Sequence, residues 1–306
     1  MVQSDRMVEA DEVRVWVLTD NYYDSLRPDS EVSTHYRVGA GECVHAEHGL
    51  SYYIEVATGA GTSRCMFDFG LDGERILDNA RLLGLDLGKS EAFVLSHGHY
   101  DHGGGIGDFL QSNGHAPVYV QRRAFEPHFW MKPDGSRADI GLDPKLAADE
   151  RIVPTDGDAE IAKNALLFCE VGDGHPAPVN NRSLFAETDG VIHPDGFEHE
   201  QNLMVTENGV SVLIAGCAHR GIANIVDRSR DILGRYPDAV IGGFHLQGRS
   251  PKGEGEPEIR ELARTLLETG SLYCTGHCTG EAAYRILREE MGSRVQALHT
   301  GAVLEF

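Results

Sequence analysis

The sequence is short of positive charge and of long apolar runs. Its 306 residues contain 27 Lys and Arg against 48 Asp and Glu, which gives a net charge of −21 at pH 7. A surface this acidic repels phosphate backbones and anionic lipids, so we expect neither nucleic acid nor a membrane surface as a general partner. No stretch approaches the ~20 apolar residues that a membrane-spanning helix needs, so we predict no membrane span.

Secretory and disulfide features are also missing. The first ten residues lack a basic segment followed by an apolar one, so we expect no secretory signal and interpret residues 1–12 as a flexible polar tail. The 6 cysteines are scattered along a chain that is long enough to bury a core without disulfides. Free thiols are consistent with a reducing compartment, which predicts a cytoplasmic protein.

Strand and helix patterns alternate over most of the chain. An apolar run at residues 92–95 predicts a buried strand, and apolar residues at helical spacing predict a helix over 222–233. We therefore expect an α/β fold, with one domain over residues 13–306. The region from about 122 to 200 is rich in Pro, Gly and Asp, and we interpret it as a loop-rich insertion that forms a lid or contributes to substrate specificity.

Histidine is abundant, with 15 residues in the chain. An H-x-H-x-D-H motif follows the predicted strand at 92–95 and consists of His97, His99, Asp101 and His102. In an extended loop His97 and His99 point the same way and can share one ion, while Asp101 and His102 turn towards a second. Imidazole and carboxylate together suit Zn²⁺, Fe or Mn²⁺, and paired ions activate a water or a leaving group. The motif thus predicts a dinuclear metal site.

Three further histidines follow predicted strands in glycine-rich loops. They are His219, His245 and His277. Ligands of α/β sheets bind beyond the carboxyl ends of the strands. We therefore expect these three side chains to meet the H-x-H-x-D-H motif at one edge of the fold.

The motif, together with the segment at 66–70, resembles the metallo-β-lactamase superfamily. The resemblance implies a four-layer αββα sandwich with two divalent metal ions at one edge, zinc first and manganese or iron as alternatives. Asp68 matches the buried aspartate that braces the metal loop in this superfamily. The metal ligands that the resemblance implies are His97, His99, Asp101, His102 and His277.

Other segments narrow the resemblance to one branch. The segments at 47–51, 215–222, 241–246 and 277–280 are similar to those of 7,8-dihydropterin-6-methyl-4-(β-D-ribofuranosyl)aminobenzene 5′-phosphate synthase-like proteins. This branch implies a small, anionic substrate that is phosphorylated or pterin-like. Our first hypothesis is a dinuclear metal-dependent hydrolase or group-transfer enzyme. The alternative is a metabolite-binding sensor or regulatory protein that keeps the metal site with little turnover.

The chain departs from the superfamily pattern at one strand end. Cys217 stands where a metal-bridging aspartate is expected, and it is either a ligand or a buried thiol. The third imidazole of the first ion is also not at its usual place. We assign that role to His219, with His199 as the positional rival and His175 as a weaker one.

The remaining assignments concern the substrate. Asp101 and His245 are the predicted catalytic residues, and His245 either contacts the substrate or donates a proton to it, with metal binding and a structural role as alternatives. We interpret His48 as part of a turn, with a position that supports the metal ligands as the alternative. His128 and Trp130 are interpreted as an aromatic core cluster, with a pocket wall as the alternative.

Overall fold

The computed structural model describes residues 12–37, 39, 42–59, 61–247 and 253–306. Residues 1–11 of the predicted tail lie outside the described residues, and residue 12 already begins the first strand. Within the described ranges, no helix is both long and apolar enough to cross a membrane.

Strands dominate the chain, and the helices lie between them. The strands are β1 (Glu12–Thr19), β2 (Ser33–His35), β3 (Ser51–Thr58), β4 (Gly61–Phe67), β5 (Ala92–Leu95), β6 (Val118–Gln121), β7 (His128–Met131), β8 (Arg137–Asp139), β9 (Ile152–Thr155), β10 (Ala159–Ala162), β11 (Ala165–Phe168), β12 (Leu184–Thr188), β13 (Val191–Pro194), β14 (Asn202–Glu207), β15 (Val210–Ile214), β16 (Ala239–Gly242), β17 (Leu272–Thr275), β18 (Val295–Ala297) and β19 (Ala302–Glu305). The helices are α1 (Gly73–Leu82), α2 (Tyr100–Gly103), α3 (Ile106–Ser112), α4 (Ile222–Leu233), α5 (Glu256–Glu268) and α6 (Glu281–Met291).

The strongest sequence patterns correspond to the observed elements. The predicted strand at 92–95 is β5, and the predicted helix at 222–233 is α4. Ile222, Ile225 and Val226 form part of the buried face of α4. The helix ends because Gly234 adopts the left-handed conformation, with φ 74°, and its N–H donates to the carbonyl of Arg230.

The strands of the described ranges form two large sheets and a small one. The first sheet has the order β2-β19-β1-β3-β4-β5-β6-β9, the second β10-β11-β14-β15-β16-β17-β18, and the third β13-β12-β7-β8. In the first sheet β4, β5, β6 and β9 run parallel. In the second, β15, β16, β17 and β18 run parallel. Each large sheet therefore has a parallel half whose carboxyl ends share one edge.

Alternating side chains along the strands build three apolar clusters that define four layers. Val15 of β1 and Ile214 of β15 belong to the cluster between the two large sheets. Phe93 of β5 packs with Phe109 of α3 on the outer face of the first sheet. Leu213 of β15 packs with α4, α5 and α6 on the outer face of the second. The predicted αββα order is confirmed.

The region predicted as a loop-rich insertion contributes to all three sheets. β7, β8, β12 and β13 form the small third sheet, while β9 extends the first large sheet. β10 and β11 extend the second. The strands β9, β10 and β11 therefore divide the insertion into two segments, one before β9 and one after β11, which together form the third sheet.

Candidate metal centre

The H-x-H-x-D-H motif connects β5 to α2. His99 has extended backbone, with φ −94° and ψ 147°, and Asp101 and His102 lie on α2 directly after it. A Cβ atom at Gly98 would lie 2.2 Å from the carbonyl oxygen of Ala124, so only glycine fits between the two histidines of the loop. The change from extended chain to helix turns the two pairs of side chains towards neighbouring points.

Three buried histidines converge at the first point. Nε2 of His97 lies 3.0 Å from Nδ1 of His99 and 3.3 Å from Nε2 of His219. Nδ1 of His97 donates to Oγ of Ser96 at 2.8 Å, because that hydroxyl donates its own proton elsewhere. Nδ1 of His219 donates to Oδ1 of Asn181 at 3.0 Å. Nε2 of His97 and Nε2 of His219 are therefore both unprotonated, and their lone pairs face each other. A cation between them stabilises this arrangement.

Four side chains converge at the second point. Nε2 of His102 lies 3.1 Å from Nε2 of His277 and 3.1 Å from Sγ of Cys217. Oδ2 of Asp101 lies 3.3 Å from Nε2 of His277. Nδ1 of His102 donates to Oδ2 of Asp68 at 2.6 Å, which leaves Nε2 as the atom through which a neutral His102 can bind an ion. Two imidazoles, a carboxylate and a thiol form a donor set that fits a zinc or iron ion.

The charges of the site agree with this fit. Burial and the charges of neighbouring histidines lower the pKa of His97, His99 and His219, so these rings are neutral and able to bind metal near pH 7. Burial alone lowers the pKa of His277, but the hydrogen bond with Asp101 and other nearby charges raise it to about 9. The second point therefore attracts positive charge, and a proton supplies it when no ion does.

Cys217 lies between the two points. Its sulfur is within 4.8 Å of ring nitrogens of His97 and His102, which belong to different groups. It is also within 4.8 Å of ligand atoms of His277 and Cys278. The thiol is therefore close to ligand atoms of both groups.

A cavity of about 400 Å³ is lined by members of both groups. Trp130, Ile140 and Leu184 form an apolar part of its wall. The pocket-wall alternative therefore holds for Trp130, which also packs against buried apolar residues that include Ile140 and Leu184. His48 also lines the cavity, with Nε2 3.5 Å from Oδ2 of Asp101, which favours the alternative that it supports a metal ligand. Among the described residues that line the cavity, none is Lys or Arg. Positive charge for an anionic ligand therefore has to come from bound ions and histidines.

His245 lines the same cavity from the end of β16. Its ring centroid lies 4.1 Å from that of His219, and its φ is 49°. The backbone N–H of His245 donates to Sγ of Cys278 at 3.3 Å. His245 is thus held beside the first group with its ring at the cavity.

The rivals of His219 have other partners. Nδ1 of His199 accepts the N–H of Gly98 at 2.9 Å, and its Nε2 lies 3.2 Å from Oδ2 of Asp195. Both ring nitrogens of His199 are therefore engaged away from His97. Nε2 of His175 lies 3.0 Å from Asp227. The histidine that the structure brings to His97 and His99 is His219.

Several residues that orient the ligands gave no signal in the sequence. Asn181 binds the ring of His219, and Oδ1 of Asn21 lies 3.4 Å from Nδ1 of His277. The buried carboxylate of Glu200 accepts the backbone N–H of His219 at 2.6 Å. Each partner is distant in the sequence from the ligand that it orients, so no local spacing reveals the contact.

Comparisons with known proteins agree with the geometry. The family model described as the metallo-β-lactamase superfamily matches residues 46–245. The chain therefore belongs to the metallo-β-lactamase superfamily, and the expected resemblance is confirmed.

One curated relative and two solved structures are similar to at least 95% of the chain. The chain is 28% identical, over 97% of its length and 98% of the relative's, to a 7,8-dihydropterin-6-methyl-4-(β-D-ribofuranosyl)-aminobenzene-5′-phosphate synthase of Methanocaldococcus jannaschii. A crystal structure of a metal-dependent hydrolase of the β-lactamase superfamily is 28% identical, with a TM-score of 0.70 and coverage of 96% of this chain and 98% of that one. Zinc-bound PqqB from Methylobacterium extorquens shares the fold at 13% identity, with a TM-score of 0.51 and coverage of 95% and 99%.

Proposed function

We propose that this chain is a dinuclear metal-dependent enzyme that acts on a small anionic substrate, with zinc as the first candidate metal. One observation carries the proposal. Two adjacent groups of buried side chains converge beside one cavity, with Nε2 of His97 3.3 Å from Nε2 of His219 in the first group and Nε2 of His102 3.1 Å from Nε2 of His277 in the second. The facing lone pairs of the first group repel unless a cation lies between them. In the second group the raised pKa of His277 keeps a proton beside Asp101 and Cys217, and a metal ion can replace that proton. Two ions at neighbouring positions therefore account for both groups.

Each group has a distinct role in the proposal. The first ion is held by His97, His99 and His219, and the second by Asp101, His102, Cys217 and His277. When bound, the ions supply positive charge and Lewis acidity next to the reacting group. His245 has a ring beside the first group and donates a proton to the leaving group or to the bound substrate.

The cavity supports a heterocyclic, phosphorylated substrate. The wall formed by Trp130, Ile140 and Leu184 can pack against a planar ring, and the amides of Asn180 and Gln247 can bind its polar edge. The synthase of Methanocaldococcus jannaschii is named for a dihydropterin joined to a ribofuranosyl-aminobenzene phosphate. We therefore propose one of two reactions on a pterin-like substrate. In hydrolysis water attacks phosphorus, the P–O bond to the alcohol breaks and the alcohol leaves with a proton. In group transfer the C–O bond to a pyrophosphate breaks, pyrophosphate leaves, and the freed carbon bonds to the second substrate, which loses a proton.

The test uses zinc-loaded protein and two sets of substrates. One set contains phosphomonoesters and phosphodiesters, and the other contains a dihydropterin pyrophosphate with and without ribofuranosyl-aminobenzene 5′-phosphate. We expect turnover in one set, lost on chelation and in an Asp101→Ala variant. Turnover that needs the second substrate indicates group transfer, and turnover in water alone indicates hydrolysis. Tight binding of a pterin with no turnover in either set would contradict the enzyme and favour a sensor.

A further inference from the structure

A buried cluster from the third-sheet region lies behind the His97–Gly98–His99 loop. It consists of His128, Asp195 and His199, whose side chains are at most 2% exposed. Oδ2 of Asp195 lies 3.0 Å from Nδ1 of His128 and 3.2 Å from Nε2 of His199. The cluster is outside the two ligand groups, and the proposed function gives it no role.

The hydrogen bonds of the cluster fix where its protons lie. Nδ1 of His199 accepts the N–H of Gly98, so the proton of a neutral His199 is on Nε2 and is donated to Asp195. Nδ1 of His128 donates to the same carboxylate oxygen. The protons on Nδ1 of His128 and Nε2 of His199 both point at Oδ2 of Asp195, so these nitrogens have no free lone pair for a metal ion. The cluster is therefore a hydrogen-bonded network, although its ligand atoms and one of His99 all lie within 4.8 Å of one another.

This network leaves one acceptor without a partner. In a neutral His128 the proton is on Nδ1, so Nε2 carries the lone pair, and this buried atom has no hydrogen-bond partner among the described residues. Nε2 of His99 is likewise buried and unpartnered in the described part of the chain. The two rings meet edge to face, with centroids 5.7 Å apart.

An ion bound at the first group turns the two unpartnered atoms, Nε2 of His99 and Nε2 of His128, into a hydrogen-bond donor and an acceptor. Nδ1 of His99 faces Nε2 of His97, so an ion bound there leaves the proton of His99 on Nε2. A buried donor without an acceptor is destabilising, and Nε2 of His128 is a buried acceptor in the neighbouring ring. Burial raises the pKa of Asp195, but the hydrogen bonds from His128 and His199 lower it overall, so this carboxylate is charged and keeps the network in place.

We propose that His128 and Asp195 are positioning residues for the metal ligand His99. Asp195 holds the proton of His128 on Nδ1, and Nε2 of His128 then accepts the Nε2–H of metal-bound His99. The inference rests on the proposed function, because it requires an ion at the first group. It adds a carboxylate–histidine–histidine relay that sets the tautomer and the orientation of one ligand.

Two variants of one residue separate the parts of this relay. In His128→Asn the amide N–H can still donate to Asp195, but no acceptor remains at the position of Nε2. In His128→Gln the amide oxygen reaches the position of Nε2 and restores an acceptor for His99. The matched control is His115→Asn, because His115 is exposed.

The readouts are zinc affinity at the first group, measured by competition with a chelator, and the visible absorption spectrum of the cobalt-substituted protein. For His128→Asn we expect about 10- to 100-fold weaker binding of one of the two ions and a changed cobalt spectrum. His128→Gln should recover most of the affinity, and His115→Asn should match the wild type. Equal affinities and spectra in all three variants would overturn the inference.

A measurement on the wild type guards against a variant that does not fold. The long-range ¹H–¹⁵N spectrum of the zinc-loaded protein reports which ring nitrogens carry protons. We expect Nε2 of His99 protonated and Nε2 of His128 unprotonated, and the opposite assignment would overturn the inference. A third bound zinc that is lost in His128→Asn would also overturn it, in favour of a metal site. A wild type that binds no zinc would overturn the proposed function as well, which distinguishes the two failures.

Discussion

Nδ1 of His102 lies 2.6 Å from Oδ2 of Asp68, and neither side chain has any exposed surface. Oδ1 of Asp68 accepts the backbone N–H of Ser96 at 2.7 Å, so the carboxylate joins the end of β4 to the start of the metal loop. The bond to His102 directs the lone pair of its Nε2 towards Cys217 and His277. One buried carboxylate thus orients a proposed ligand and fixes the loop that carries it.

Replacement of this carboxylate should weaken the second ion. In Asp68→Asn the negative charge that accepts the His102 proton is lost, so we expect about 10- to 100-fold weaker zinc binding at the second group. Chelator competition measures the change, and Asp78→Asn on the exposed surface of α1 is the control. Wild-type affinity in Asp68→Asn would show that His102 needs no such partner.

Zinc should protect the central thiol from alkylation. Burial raises the pKa of Cys217, so the free thiol is protonated, and a bound ion covers its sulfur. When free zinc is 100 times the Kd, we expect iodoacetamide to modify Cys217 about 100-fold more slowly than in the metal-free protein. Peptide mass spectrometry measures the rate, and the exposed Cys43 should react equally in both states. Equal rates at Cys217 would argue against it as a ligand.

The loop between the first two histidines should not tolerate a side chain. A Cβ atom at Gly98 would lie 2.2 Å from the carbonyl oxygen of Ala124, so Gly98→Ala should lower the free energy of unfolding by about 1–3 kcal/mol. Gly107 lies on α3, and its Cβ would meet no described atom within 4 Å. Gly107→Ala should therefore raise the free energy of unfolding by up to about 1 kcal/mol. Urea unfolding of metal-free protein tests both, and similar effects of the two variants would contradict the close approach.

Protonation of the His299 side chain should lower the free energy of unfolding in acid. Burial and the positive charge of Arg27, whose guanidinium donates to Nε2 of His299, lower the pKa of His299 to about 4. The folded state therefore favours the neutral ring of His299, whose ordinary pKa is 6.5. The contribution of this neutral ring to the free energy of unfolding is present above pH 6.5 and is lost as the pH falls towards 4. Since His299 is partly exposed, we expect its contribution to be about 1–2 kcal/mol.

Glutamine at this position tests the pH dependence. His299→Gln keeps an oxygen that can accept from Arg27 but cannot be protonated, so its unfolding free energy should fall less between pH 6.5 and 4 than that of the wild type. His115→Gln on the exposed surface should follow the wild type. Parallel curves for His299→Gln and the wild type would exclude His299 as a source of the acid sensitivity.

The sequence predicted those parts of the structure that depend on local pattern. The apolar spacing along α4 and the apolar run of β5 predicted where these two elements begin and end. His97 and His99 were predicted to lie close together because only one residue separates them. The structure also brings His219 beside His97, across 122 positions, because β5 and β15 end at the same edge of the fold.

Contacts made by the insertion at about 122–200 could not be predicted from local sequence patterns. His199 was a rival ligand by position, and only its hydrogen bonds with Gly98 and Asp195 show that both of its ring nitrogens are occupied. Trp130 looked like core because aromatic residues usually pack inside, but β7 places it at the cavity. Asn181 has no local signal because its partner, His219, is 38 positions away.

The most direct test of a dinuclear centre is anomalous X-ray scattering from zinc-loaded crystals, recorded on both sides of the zinc absorption edge. We predict two peaks in each chain at neighbouring positions. The first lies among His97, His99 and His219, and the second among the side chains of Asp101, His102, Cys217 and His277. A single peak, or a first peak bound by His199 instead of His219, would contradict the proposed centre.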